Sequence, residues 1–187
     1  MDEEFLPIDF SAPLDVEEVI ARVPVDVRLS AVFAKKIIEY CRRVGRPVPV
    51  ERFFHEDTVS MPEMLRFLAL AARVLHPEAP LREGLRRIGR LSYATATRHF
   101  PTTYFDLDGY LRLIPDVVAR AGNHARTSIV VAERRAVLSV DDYRSFREGA
   151  MGTIEAALDS LGAIPTLRMR DRGQDAFDLE ICWQLTR

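Results

Sequence analysis

The feature of this sequence that most limits what it can fold into is a change of hydrophobic period partway along the chain. Up to about residue 122 the apolar residues recur at helical spacing, and beyond it they alternate. Spacing of i, i+3, i+4 gives a helix one buried face, and strict alternation gives a strand one buried face. Two such blocks in succession predict an α+β chain. Its N-terminal helical half, 1–122, packs on a C-terminal ββαββ antiparallel sheet unit, 123–187, as one domain.

The helical half is punctuated by prolines. Pro7, Pro13 and Pro24 predict an irregular lead-in, with Asp15 capping a short helix from Val16 to Val23. Leu29, Val32, Phe33, Ile37, Tyr40, Cys41 and Val44 form the first long stripe, stopped by Gly45 and Pro47. A loop or short strand follows to Asp57. Ser60-Met61-Pro62-Glu63 has the form of a capping box. It precedes a stripe of Met61, Met64, Leu65, Leu68, Ala72 and Leu75. Pro80 opens a helix with Leu81, Leu85, Ile88 and Leu91 on one side, extending to about His99. Tyr104 to Gly122 is helical, with a break or kink expected at Ile114 because Pro115 follows it.

Thr127–Ala132 and Ala136–Val140 are two strands by their β-branched content. The next helix carries Phe146, Ala150, Thr153, Ala157 and Leu161 on its core face. Gly149 and Gly152 beside that face let it lie close to whatever it covers. In the last two strands, residues opposite each other share a face. Pairing Arg170 with Asp178, Arg168 with Glu180, Met169 with Leu179 and Leu167 with Ile181 satisfies this, with the three-residue loop Gly173-Gln174-Asp175. The charged pairs are expected at the surface. One helix about 10 Å across cannot cover four strands. The Leu29–Val44 and Met61–Leu75 stripes are therefore expected to cover the rest of the sheet, leaving an apolar seam.

Composition excludes several functions. A net charge of −2 and a pI near 6.1 have the wrong sign for a nucleic-acid binder. Cys41 and Cys182 make neither a disulfide framework nor a zinc pattern, so reduced thiols are expected. The acidic N-terminus and the lack of a long apolar run predict a cytoplasmic protein with no membrane span. No nucleophile, metal or phosphate-loop motif is present, and no two of the four histidines lie at helical i, i+4 spacing. No metal and no cofactor are expected.

Three constellations remain. His99 stands near Phe100, Tyr104, Phe105, Asp106 and Asp108, either as a ligand or acid/base group in an aromatic pocket or as a helix-end histidine held by a neighbouring carboxylate or backbone group. Arg82, Arg86 and Arg90 line one helix stripe with no alternating acid. They form either a solvated face or a grip for an anion or acidic partner. They are expected to be mostly accessible and to matter little for folding. Trp183, Phe177 and Met169, with Phe33 across the seam, are either core or the wall of a ligand pocket.

The stretch from Leu75 to Arg90, reading L-H-P-E-A-P-L-R-E-G-L-R-R-I-G-R, resembles a family of unknown function expanded as paralogues in myxobacteria. That family typically shows an apolar residue, a proline, a short acidic link and a helix reading L-R-R-L-G-R. Its order of elements is similar to the set of haem/NO-binding, vinyl-reductase-like and Golgi-trafficking ligand-binding domains. The resemblance implies binding of small or apolar ligands or of partners, often as dimers. Haem-binding members carry a Y-x-S-x-R signature, which Arg126-Thr127-Ser128-Ile129-Val130 lacks. The expected function is a non-enzymatic sensing or adaptor module in signalling. It binds a small apolar ligand or a protein partner and forms a homo-oligomer. The alternatives are a purely structural homodimer without ligand, and an enzyme with a site around His99, Tyr104, Asp106 and Asp108.

Overall fold

The computed structural model describes residues 4–49, 53, 55–96, 106–121, 125–173 and 175–186. The elements are β1 (Leu6–Pro7), α1 (Val16–Ala21), β2 (Arg28–Ser30), α2 (Val32–Arg43), β3 (Thr58–Ser60), α3 (Met61–Leu75), α4 (Leu81–Ala96), α5 (Leu107–Ala121), β4 (Arg126–Ala132), β5 (Arg135–Asp141), α6 (Arg147–Ser160), β6 (Ala163–Gly173) and β7 (Ala176–Leu185). The fold is α+β, with helices packed against an antiparallel sheet of order β1-β6-β7-β5-β4. No described helix is long and apolar enough to cross a membrane.

Local signals placed most element starts. The Asp15 carboxylate accepts the Glu17 and Glu18 N–H groups at the head of α1. The Ser60–Glu63 capping box forms in both directions at the head of α3. Leu29 is not helical, contrary to its place in the first stripe. It lies in β2 opposite Val59, because β3 pairs antiparallel with it. Pro115 does not break α5, which is continuous from Leu107 to Ala121. The ring costs one helical bond, and burial of Tyr110, Leu111, Ile114 and Val118 on either side of it offsets that loss.

The terminal hairpin has the expected register. Arg170 lies opposite Asp178, Arg168 opposite Glu180, Met169 opposite Leu179 and Leu167 opposite Ile181. The loop is shorter than three residues, because Gly173 pairs with Ala176 and the surplus residue is taken up by a bulge between Asp171 and Gly173. A fifth strand, β1, comes from the N-terminal lead-in and pairs with β6 through Leu6 and Pro7.

The charged pairs on the outer sheet face are not exposed at their acidic ends. Asp178 is 2% and Glu180 7% accessible. Arg170 and Arg172 close over Asp178 at 2.6 and 2.9 Å, and Arg135 closes over Glu180 at 2.7 Å. Their aliphatic stems remove the acids from water while the heads stay wet. Burial would raise the Asp178 carboxyl, but hydrogen bonds from Arg170 and Ser139 and the Arg172 charge outweigh it and hold the group below its ordinary 3.8. A depressed folded value contributes stability at neutral pH that is lost as pH falls below about 4 and through the folded value. Urea midpoints measured from pH 6 to pH 2 should show this acid limb in the wild type. The limb should be shallower in Asp178→Asn, which would also be the less stable protein at pH 6.

The layers differ from expectation in one respect. α5 and α6 lie on the sheet, α4 lies on α6, and α3 and then α2 lie beyond. The α2 and α3 stripes therefore do not cover the sheet. They close a separate core with α1 and α4, centred on Ile38, Met61, Leu65 and Leu85. Phe177, Leu179, Ile181 and Trp183 belong to a second core with α5 and α6. The boundary between the two cores is a contact of helix on helix, not of helix on sheet.

Candidate functional site

The α4–α6 crossing sets the geometry of that boundary. Gly89 and Gly152 sit where the two helix backbones touch. A Cβ on Gly152 would overlap the Arg86 carbonyl oxygen, and one on Gly89 would overlap the Gly149 carbonyl oxygen. Gly149 differs, because nothing lies within 4 Å of where its Cβ would be.

Charge runs along the same crossing. Arg82 pairs with Glu148. Arg86 holds Glu155 in a two-point contact at 2.7 and 2.9 Å. Arg90 reaches Glu155 at 3.3 Å and also pairs with Asp159. Glu148 and Glu155 are only 4% and 6% accessible. The arginine stripe is thus paired across the crossing and only partly exposed, which corrects the expectation that Arg82, Arg86 and Arg90 lack acidic partners and are mostly accessible. Their partners lie on α6, 66 and 69 residues away for Arg82 and Arg86. Arg86 additionally stacks on the Phe10 ring at 4.8 Å.

Beside the crossing, the helices diverge around a cavity of about 240 Å³. Phe33 of α2, Met64, Leu65 and Leu68 of α3, and Leu85 and Ile88 of α4 form one wall. Gly149, Ala150 and Thr153 of α6, with Val118, Tyr143 and Phe146, form the other. No charged side chain is among the described lining residues. The polar groups are few. Ser92 and Thr153 stand 3.0 Å apart across the seam. The Tyr143 hydroxyl donates to the Phe146 carbonyl at 3.4 Å. Burial, with Glu148 nearby, pushes the Tyr143 phenol up and keeps it neutral.

The predicted site residues divide. Phe33 lines this cavity. Trp183 and Phe177 are buried in the sheet-side core and do not line it. Met169 faces another cleft, of about 570 Å³, beneath the N-terminal strap. Within that cleft Arg22 pairs with Asp175, Arg82 with Glu148 and Arg147 with Asp171. His99 and Tyr104 lie outside the described residues. Asp106 accepts the Gly109 N–H at the start of α5, and Asp108 makes an exposed pair with Arg112, so these two acids serve the helix start. Among the described residues no three His, Cys, Asp or Glu side chains group as metal ligands. Ser92 and Tyr143 were missed in the sequence, because no local spacing distinguishes a serine or tyrosine that faces a cavity.

No family model matches the sequence, and no curated protein matches it. Solved structures do. An H-NOX structure used to probe the function of heme distortion superposes with a TM-score of 0.63 at 16% identity, over 85% of this chain and 97% of that one. A mutant Cs H-NOX gives 0.62 at 16% identity, over 84% and 98%. The Fe(II) unliganded H-NOX protein from K. algicida gives 0.62 at 8% identity, over 83% and 97%. The described residues at the seam do not fit a heme. No histidine or cysteine is among the described lining residues, and the Tyr143 hydroxyl is engaged by backbone. Arg126 and Val130, at the outer positions of the Y-x-S-x-R pattern, point to the outer sheet face, where Arg126 pairs with Asp142 and Val130 is 74% exposed. The chain therefore has the H-NOX fold, with a seam built from uncharged and mostly aliphatic side chains.

Proposed function

We propose that this chain is a non-enzymatic sensing module that takes a small, uncharged, mostly apolar molecule into the seam between α4 and α6. The observation that carries this is the cavity of about 240 Å³ with no charged residue in its described lining. Burying an ion there would leave its charge without a counter-charge, which is costly, whereas an apolar molecule gains by leaving water. The H-NOX structures are a precedent for a ligand held in this fold. Here the group held is smaller than a macrocycle and is not bound through a metal. Phe33 contributes its ring to the wall, and the ligand bridges the α2–α3–α4 layer to α6, which itself lies on the sheet. Occupancy thus ties the two cores together and biases how α6 sits.

A ligand that binds only the folded state stabilises it by about 2.7 kcal/mol at a hundredfold excess over its Kd, a shift of about 5–10 °C in Tm for a chain of this size. A thermal-shift panel of small neutral aromatic and aliphatic compounds should produce such shifts. Gly149→Leu places a side chain in the cavity without backbone overlap. It should abolish the shift while its own Tm stays at or above wild type. A panel without any shift, or shifts that persist in Gly149→Leu, would remove this reading.

A further inference from the structure

The hydroxyl groups beside the α4–α6 crossing are not interchangeable with generic polar lining, because their hydrogens are already directed at backbone or at each other; Ser30, elsewhere on the lining, accepts the Val32 N–H at 3.3 Å. Ser92 Oγ donates to the Gly89 carbonyl at 2.7 Å. Thr153 Oγ1 has one hydrogen, and the carbonyls of Gly149 at 2.9 Å and Gly89 at 3.1 Å are both within reach to accept it. Both carbonyls belong to the backbone of the α4–α6 crossing, so this hydroxyl pair is locked by the glycine contact beside it. On the other wall, Tyr143 donates to the Phe146 carbonyl, and Ser145 hydrogen-bonds to Tyr143. A hydroxyl whose hydrogen is spent keeps two lone pairs and acts only as an acceptor.

From this we infer that the seam selects a neutral molecule bearing a single hydrogen-bond donor, an alcohol, phenol or heteroaromatic N–H, which donates to Thr153 Oγ1. The inference rests on the proposed ligand site and adds the ligand's chemical class. A ketone, ester or ether of the same size brings only lone pairs, and at Thr153 it faces lone pairs. A carboxylate brings charge to a wall that has none to answer it. An ammonium brings a donor, but must leave its water shell for a single hydroxyl acceptor. A neutral donor matches both the absence of charge in the wall and the hydrogen-bond polarity of Thr153 Oγ1. Its apolar body lies against Phe33, Leu65, Leu68 and Ile88.

The test uses pairs of probes that differ in the donor and little in shape, with binding to the full chain read by calorimetry. Indole and indene form the first pair, and 1-octanol and 2-octanone the second. A purely apolar cavity would favour indene, the less polar of the two bicycles. The expected result is the reverse. Indole should bind about fivefold or more tightly, the worth of one net hydrogen bond of about 1 kcal/mol. Octanol should likewise bind more tightly than the ketone, and octanoate should not bind. In Thr153→Val the preference for indole over indene should collapse, with indene affinity kept. Ser92→Ala should keep the preference, and serves as the folded comparison should the valine variant be unstable. Indene binding as well as indole to the wild type, or a preference surviving in Thr153→Val, overturns the donor-selective site and leaves a merely apolar one. Failure of all four neutral probes to bind overturns the ligand site itself along with it.

Discussion

Gly152→Ala is expected to destabilise the protein by about 3 kcal/mol or more, at the upper end of what overpacking costs, because the clash is with backbone. The added methyl has nowhere to go, since the Arg86 carbonyl oxygen and the Arg90 N already occupy its position. Gly89→Ala should behave alike, against Gly149. Gly149→Ala should do the opposite. Its methyl enters open space in the first turn of α6, and the gain from replacing a helical glycine by alanine is about 0.5–1 kcal/mol. Urea denaturation of the three variants checks this ordering. Equal effects at 149 and 152 would mean that the α4–α6 contact is not where the structure puts it.

Arg86→Gln is the second large effect, at about 2 kcal/mol. It removes a two-point partner from Glu155, which is 6% accessible. Breaking a buried pair from one side costs about 3–5 kcal/mol. The lower figure applies because Arg86 is 28% exposed and Arg90 still reaches Glu155 at 3.3 Å. Changing Arg82, Arg86 and Arg90 together to Gln strands Glu148 as well and should lower Tm severely. Adding Glu148→Gln and Glu155→Gln to that triple variant should restore much of the loss, because the damage comes from stranded carboxylates rather than from missing arginines. A triple variant that melts near wild type would show that the ion pairs are incidental to folding.

Much of the architecture was legible in the chain. The Ser60 capping box, the Asp15 cap and the register of the last hairpin are all short-range or nearest-strand relations, and composition expresses those directly. The α6 glycines also announced a close approach, though not what would approach. The misreadings had a common origin. Leu29 fits a helical stripe by spacing, yet becomes a strand residue once Val59 arrives opposite it. Pro115 carries a penalty visible locally, while the burial that overrides it comes from the rest of the core. Asp178 and Glu180 look like surface acids until the arginines of neighbouring strands close over them. The site was partly legible. Phe33 was marked by its place on an apolar stripe, whereas Ser92, Tyr143 and Thr153 matter only through where their hydroxyls end up.

By itself, then, the sequence determined the type of the helices and of the last four strands and the main apolar stripe of most of them, because period and side-chain chemistry act within a few residues. Tertiary structure alone decided which faces meet. It set α4 on α6 rather than α2 and α3 on the sheet, matched three arginines with carboxylates that α6 supplies, and left the uncharged gap beside the crossing. Steric fit between glycine-cut helices and the pairing of buried charges are both properties of two surfaces at once, and neither surface is complete in any one stretch of chain.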